Sequence, residues 1–305
     1  MPAPVPGAKP VAVQHIKVHG AALEGNLEGD AVERDVLVFL PPSYEKEKSR
    51  RYPVVYALHG YSIGAEQWSH EIHVPQTIEG ALAQGAQEMI VVLPDSKTVH
   101  NGSMYSSSAT TGDFERFISH DVVAYVDAHY RTIAQRRSRG LVGHSMGGYG
   151  ATRIGMKHPE VFGSLYIMSP CCLSARGGGG PANAQLDSLL QGVRSAEDAA
   201  RLPWGVRALL ASAAAWSPDP KNPPLYLDLP VKDGVVQADV MARWAANAPL
   251  AFADQYTGNL RQYDAIAMDV GDHDGLRVDA GKLHELFDRY GLANTFEIYP
   301  GTHTS

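Results

Sequence analysis

Cysteine is nearly missing from this chain: 305 residues hold two, Cys171 and Cys172, side by side. Two sulfurs make neither a disulfide framework nor a cysteine-based metal centre. Neighbours in one extended strand point to opposite faces, which argues against a structural disulfide between them. Long apolar runs are missing too, so no segment reads as a membrane span. Positive charge is in the minority, 26 Lys and Arg against 33 Asp and Glu, for a net charge of −7. That balance argues against nucleic acid or an anionic membrane surface as the partner. No internal repeat stands out. The opening "MPAPVPGAKP" carries four prolines and lacks the apolar stretch of a secretory signal. Residues 1–10 therefore read as an extended arm, expected to begin a mature exported chain whose leader is absent.

What is present is a rhythm of short strands. "VAVQHIKV" and "RDVLVFLPP" are β-rich runs that predict an antiparallel pair at a sheet edge, with Pro41 and Pro42 ending the second. From residue 53 come "PVVYALHG", "MIVVLPD", "RGLVGHS", "GSLYIMSP", "DAIAMDVG" and "NTFEIYPG". Such nearly continuous apolar runs are expected of strands buried on both faces. Helical patterns lie between them. In "DFERFISHDVVAYVDAHY" the residues Phe114, Phe117, Ile118, Val122, Tyr125 and Val126 share a stripe, and Asp113 is placed to cap it. In "DAGKLHELFDRYG" Leu283, Leu286 and Phe287 fall together before Gly291. The alternation predicts an α/β fold, a mostly parallel sheet with helices on both faces, in one domain over residues 11–305. Residues 171–262 interrupt it. This long excursion begins near the flexible "ARGGGGPANA" and continues through the helical patterns "LDSLLQGV", "GVRALLASAAAW" and "ADVMARWAANAPLAF". It reads equally as an extra helical layer or as a cap over a cleft.

The chemistry centres on Gly143-His144-Ser145-Met146-Gly147, a G-x-S-x-G run between a strand and a small-residue helix. A serine on that sharp turn projects above the sheet, with the following amide aimed at the same space. A hydroxyl needs a base to become a nucleophile, and the base needs an orienting acid. In this architecture both follow the last strands, in the order serine, acid, histidine. His303 is the one histidine past the last predicted strand; His284 lies mid-helix, and His273 sits beside the acids. Among Asp269, Asp272 and Asp274, the first should still lie inside its strand. Asp274, furthest out on the loop, is favoured over Asp272. The run "GDHDG" lacks the further oxygen ligands of a calcium loop, and no metal or cofactor is expected. The oxyanion donors expected are the amides of Met146 and Tyr61, with Gly60 the alternative to the latter. Trp68 could wall the cleft from the same loop, or belong to the core.

Several stretches together resemble the esterase D and feruloyl esterase-like branch of the α/β-hydrolase superfamily. They are "YPVVYALHGYSIGAEQW", "GDFERFISHDVVAYVDAHYRT", "GLVGHSMGGYGATRIGMKHPEVFGSLYIMSP", "GDHDG" and "YPGTH". The resemblance runs from about residue 33 to 303 and implies the α/β-hydrolase fold. It puts the nucleophile at Ser145, the acid at Asp274, the base at His303 and the second oxyanion donor at Tyr61. It implies a serine carboxylic-ester hydrolase acting through an acyl-enzyme on a small-molecule or polysaccharide-linked ester, with a feruloyl type among the options. Acyl transfer of the mycolyltransferase kind is the alternative, as is an S-formylglutathione hydrolase-like thioesterase. The second is weakened because "HGYSIGAEQW" lacks the cysteine those enzymes carry after this loop. A non-catalytic binding module is least expected. Members of the branch continue past this histidine into a final helix, so the native chain is expected to extend beyond Ser305.

Overall fold

A computed structural model describes residues 5–175, 189–190 and 192–305. Its centre is an eight-stranded sheet: β1 (Ala12–His19), β2 (Glu33–Leu40), β3 (Val54–Leu58), β4 (Ile90–Pro94), β5 (Arg139–His144), β6 (Ser164–Met168), β7 (Ala265–Gly271) and β8 (Thr295–Tyr299). The spatial order is β1-β2-β4-β3-β5-β6-β7-β8. β1 pairs antiparallel with β2, and β2 with β4; every other neighbour is parallel. The expected antiparallel edge pair and mostly parallel sheet are therefore both present. Parallel strands need crossovers, and these put the Ser145 turn and the last two loops at one rim, the carboxyl ends of β5, β7 and β8.

Seven helices matter for the site: α1 (Ala65–Glu71), α2 (Val74–Ala83), the composite α3, α4 (Met146–Lys157), α5 (Trp204–Trp216), α6 (Ala238–Ala246) and α7 (Arg277–Arg289). α3 runs from Phe114–Arg116 through a wider π segment, Phe117–Val122, to Val123–His129. The Asp113 carboxylate caps it as expected, accepting from the Arg116 amide at 2.9 Å. Phe114, Phe117, Ile118, Val122 and Val126 are fully buried in the main core with Leu58, Met146 and Tyr149. α7 starts two residues earlier than its pattern implied, and Gly291 follows its end with φ +62°.

Two expectations need correction, and one reading falls outside the described residues. The arm is not extended throughout: Gly7 takes φ +80°, and the Ala8 amide returns to the Val5 carbonyl at 3.1 Å. Val11 then ties to Glu79 on α2 at 2.9 Å; Met1–Pro4 lie outside the described residues. β6 and β8 are not buried on both faces. Tyr166 is 41% and Ile298 50% exposed, because the second core, under α1 and α2, extends no further than Val142 of β5. The "ARGGGGPANA" stretch beyond Ala175 and the start of the "LDSLLQGV" pattern fall outside the described residues.

In the excursion Trp216 and Trp244 are core residues in edge-to-face contact, ring centroids 5.2 Å apart. Each indole satisfies its N–H, Trp216 on Ser106 at 3.2 Å and Trp244 on Ser217 at 2.9 Å. Trp204, at the other end of α5, is 65% exposed and meets the Tyr61 ring edge-to-face at 5.4 Å.

One buried charge cluster fastens α4 to its surroundings. Glu115 of α3 takes Arg153 at 2.7 Å, Lys157 at 3.1 Å and His158 at 3.4 Å. Arg153 also donates to the Asn247 side chain at 2.8 Å. Burial alone would raise the Glu115 carboxyl; His158, Arg153 and Lys157 outweigh it and hold the group at about 2. A depressed carboxyl pKa contributes stability that is present above the ordinary value of 4.5 and is lost as pH falls through about 2. Glu115→Gln leaves Arg153 buried without its counter-charge and is expected to cost about 3–5 kcal/mol at pH 7. Urea denaturation should show the gap to wild type narrowing between pH 4 and pH 2. A gap that stays constant over that range would contradict the assignment.

Candidate active site

The turn after β5 is tight because two glycines let three elements touch. A side chain at Gly143 would overlap the Gly147 carbonyl, and one at Gly147 would overlap the Leu58 carbonyl at the end of β3. Ser145 sits between them in the strained φ +59°, ψ −114° conformation, at the N-terminus of α4. The Ser145 amide donates to the Met168 carbonyl at 3.0 Å, and the Ser145 carbonyl accepts from Cys171 at 3.1 Å. The backbone of the turn is thus held on both sides, and the hydroxyl is left facing the rim.

The hydroxyl meets His303. Ser145 Oγ donates to His303 Nε2 at 2.9 Å, and His303 Nδ1 donates to Asp274 Oδ2 at 2.8 Å. The Asp274 side chain is 2% exposed. Burial pushes its carboxyl up, but the Leu276 amide, bonded to Oδ1 at 2.8 Å, and His303 overcome this and hold it below the usual carboxylate range. It therefore stays an anion, and an anion at Nδ1 fixes the tautomer that leaves Nε2 free to accept.

Asp272 has a different task. Its Oδ1 accepts from the Gly301 amide at 2.9 Å. The amides of Asp272 and His273 donate to the carbonyls of Tyr299 and Gly301 at 2.8 and 2.9 Å. This ladder docks the loop carrying His303 onto the end of β7. Asp269 lies inside β7, bonded to the Tyr166 hydroxyl. His273 and His284 bond Asp272 and Asn294, away from Ser145.

Across the rim stands the loop after β3. His59 is fully buried; its Nε2 accepts from Ser96 at 2.8 Å, and its Nδ1 donates to the Gly60 carbonyl at 2.8 Å. C=O and N–H point opposite ways in a trans peptide. Fixing the Gly60 carbonyl therefore turns the Tyr61 amide to the other side. Gly60 itself lies against Ser145; a side chain at this glycine would bring its Cβ to 3.5 Å from Ser145 Cβ. The Met146 amide, first of α4, shares the positive end of that helix. Trp68 is not at this rim. It is 5% exposed and packs in the second core with Leu37, Phe39 and Leu93, because it points down from α1 onto the sheet.

Sequence reasoning missed three residues here. His144 occupies the unspecified position before the serine. Its Nε2 donates to the His303 carbonyl at 2.7 Å, and its ring lies 4.8 Å from that of His303. Burial lowers its pKa, so no second positive charge opposes a proton arriving on His303. His59 is missed because "HG" reads only as a strand end. Trp204 is missed because its distance in sequence hides its contact with Tyr61.

A cavity of about 230 Å³ adjoins this group, lined by Cys171, Cys172, Ser212, Trp216, Trp244 and Leu276 among others. Two of its walls are bonded to the site, through Cys171 to Ser145 and Leu276 to Asp274. Among the described residues no cluster of three or more His, Cys, Asp or Glu side chains is arranged to hold a metal ion, and no helix is long and apolar enough to cross a membrane.

Known proteins share this architecture. A ferulic acid esterase superposes with a TM-score of 0.67 at 23% identity, covering 96% of this chain and 91% of its own. The S-formylglutathione hydrolase of Staphylococcus aureus gives 0.62 at 16% identity, covering 97% and 93%. In sequence, 138 residues are 29% identical to an endo-1,4-beta-xylanase/feruloyl esterase of Xylanibacter ruminicola, covering 43% of this chain and 19% of that protein. The chain spans less than a third of the length of the first curated relatives it matches, 19%, 32% and 27%. The family model described as "Putative esterase" matches residues 31–305, nearly the whole chain. By that match, on a fold its structural neighbours share, the chain belongs to the "Putative esterase" family.

Proposed function

We propose that the chain is a serine carboxylic-ester hydrolase, and the observation that carries this is the hydrogen-bonded run from Ser145 through His303 to Asp274. His303 takes the Ser145 proton as Oγ attacks the ester carbonyl. Asp274 holds the imidazole and stabilises its charged form. The Met146 and Tyr61 amides receive the oxyanion; the hydrogen bond that fixes the Gly60 carbonyl supports the second of these roles. His303 returns the proton to the leaving alcohol, then activates the water that releases the acid. No step calls on a cofactor.

The acyl group proposed is aromatic, of the hydroxycinnamoyl type. A cavity of about 150 Å³ accommodates benzene, so about 230 Å³ takes one ring with a short arm. Trp216, Trp244 and Leu276 give it apolar walls, and Ser212 offers a hydroxyl. The alcohol side faces the rim beside the Tyr61–Trp204 ring pair, where the excursion acts as a partial cap and a sugar can stack on the exposed Trp204. A panel of p-nitrophenyl and methyl hydroxycinnamoyl esters tests this. We expect kcat/KM for feruloyl and coumaroyl esters to exceed that for p-nitrophenyl decanoate at least tenfold. Equal or better turnover of the long aliphatic ester would refute the aromatic assignment, and no turnover of any ester would refute hydrolysis.

A further inference from the structure

The two cysteines are not placed as a strand would place them. Cys172 takes the left-handed φ of +59°, which swings its side chain to the same side as that of Cys171. The thiols are free, half-buried, and their sulfurs lie 2.6 Å apart. Both line the mouth-side wall of the cavity beside Ser145 and are partly exposed, so a disulfide in solution reaches them without entering it. The Cys171 amide, in the peptide just before the one that joins the two cysteines, is bonded to the Ser145 carbonyl at 3.1 Å, so a change that moves Cys171 is passed on to the Ser145 turn.

We propose that Cys171 and Cys172 form a redox-active vicinal dithiol, oxidised by low-molecular-weight disulfides to a Cys171–Cys172 disulfide that disables the adjoining site. One cysteine thiolate attacks a sulfur of oxidised glutathione and releases one glutathione thiolate. The neighbouring thiolate then displaces the second glutathione and closes the ring. The protein gives up two electrons and two protons, and oxidised glutathione becomes two molecules of glutathione. Closing a ring across a single peptide bond distorts that peptide, and strained disulfides are the ones readily reduced again. The same distortion pulls on the Cys171 amide and displaces Ser145. The effect on the site rests on the reading of Ser145 as nucleophile; the formation of the disulfide does not.

The test incubates the reduced protein with oxidised glutathione, then records its intact mass, its free thiols and the rate at which a fluorophosphonate labels Ser145. We expect a mass lower by two hydrogen atoms, no free thiols, labelling slowed at least about tenfold, and full recovery in dithiothreitol. Cys172→Ser, compared only with its own reduced form, should gain one glutathione in mass and never lose the two hydrogens. Retention of both thiols, a stable double glutathione adduct, or a disulfide-linked dimer on a non-reducing gel would each overturn the dithiol. A disulfide that forms without slowing the label would overturn its control of the site. Failure of the reduced protein to label at all would count against the hydrolase reading instead, while the mass still decides the dithiol.

Discussion

Ser145→Ala is expected to lower kcat on activated esters by about 10⁶-fold while leaving the fold intact. Among the described residues the hydroxyl hydrogen-bonds His303 and no other side chain. Alanine inherits the φ of +59°, so the strain of the turn is unchanged between the two forms. The loss thus isolates the nucleophile from everything that shapes it. Thermal denaturation should show a midpoint within a few degrees of wild type, and fluorophosphonate labelling should vanish. A variant that keeps a hundredth of the wild-type rate would mean that the reaction does not pass through this oxygen.

Asp274→Asn is expected to cost about 10⁴-fold in kcat with little change in KM. The Leu276 amide needs an acceptor at Oδ1 and will claim the asparagine oxygen. That leaves the asparagine NH2 facing His303 Nδ1, which must then give up its own proton and accept. The imidazole keeps its hydrogen on Nε2, the atom that should receive the proton of Ser145. The site survives in outline with its proton on the wrong nitrogen. Asp272→Asn is the control, because Asp272 bonds Gly301 and not the imidazole. Its asparagine oxygen can still accept from that amide, so a loss within about tenfold is expected. Reversed magnitudes would exchange the roles of the two acids.

The residues of the hydrogen-bonded chain were legible in sequence because the chemistry restricts their type and the fold restricts their place. A serine at a strand-to-helix turn, an acid after β7 and a histidine after β8 leave few candidates. The choice between Asp272 and Asp274 was less legible, since both lie within hydrogen-bonding reach of the same loop. What separates them is the ladder that joins residues 272 and 273 to residues 299 and 301, and no spacing rule encodes it. His144 and His59 were illegible for a related reason: their partners are backbone carbonyls, which carry no sequence signature. Trp68 and Trp204 show the limit for aromatics. Both are consistent with core or cleft until the direction of their helices is known, and the one that meets Tyr61 is the one farther from it in sequence. The paired cysteines are free thiols, but the strand rule is not the reason, because the segment after Met168 is not a strand.

The grip of His144 on the carbonyl of His303 bears on how the protein tolerates change. Strand β5 delivers Ser145 and, one residue earlier, the side chain that tethers the backbone of its partner. The distance between Ser145 and His303 is therefore held from two sides, by this strut from β5 and by the ladder that docks the loop onto β7. A graft of the G-x-S-x-G turn into another scaffold that omits its histidine will move the machinery without its alignment gauge.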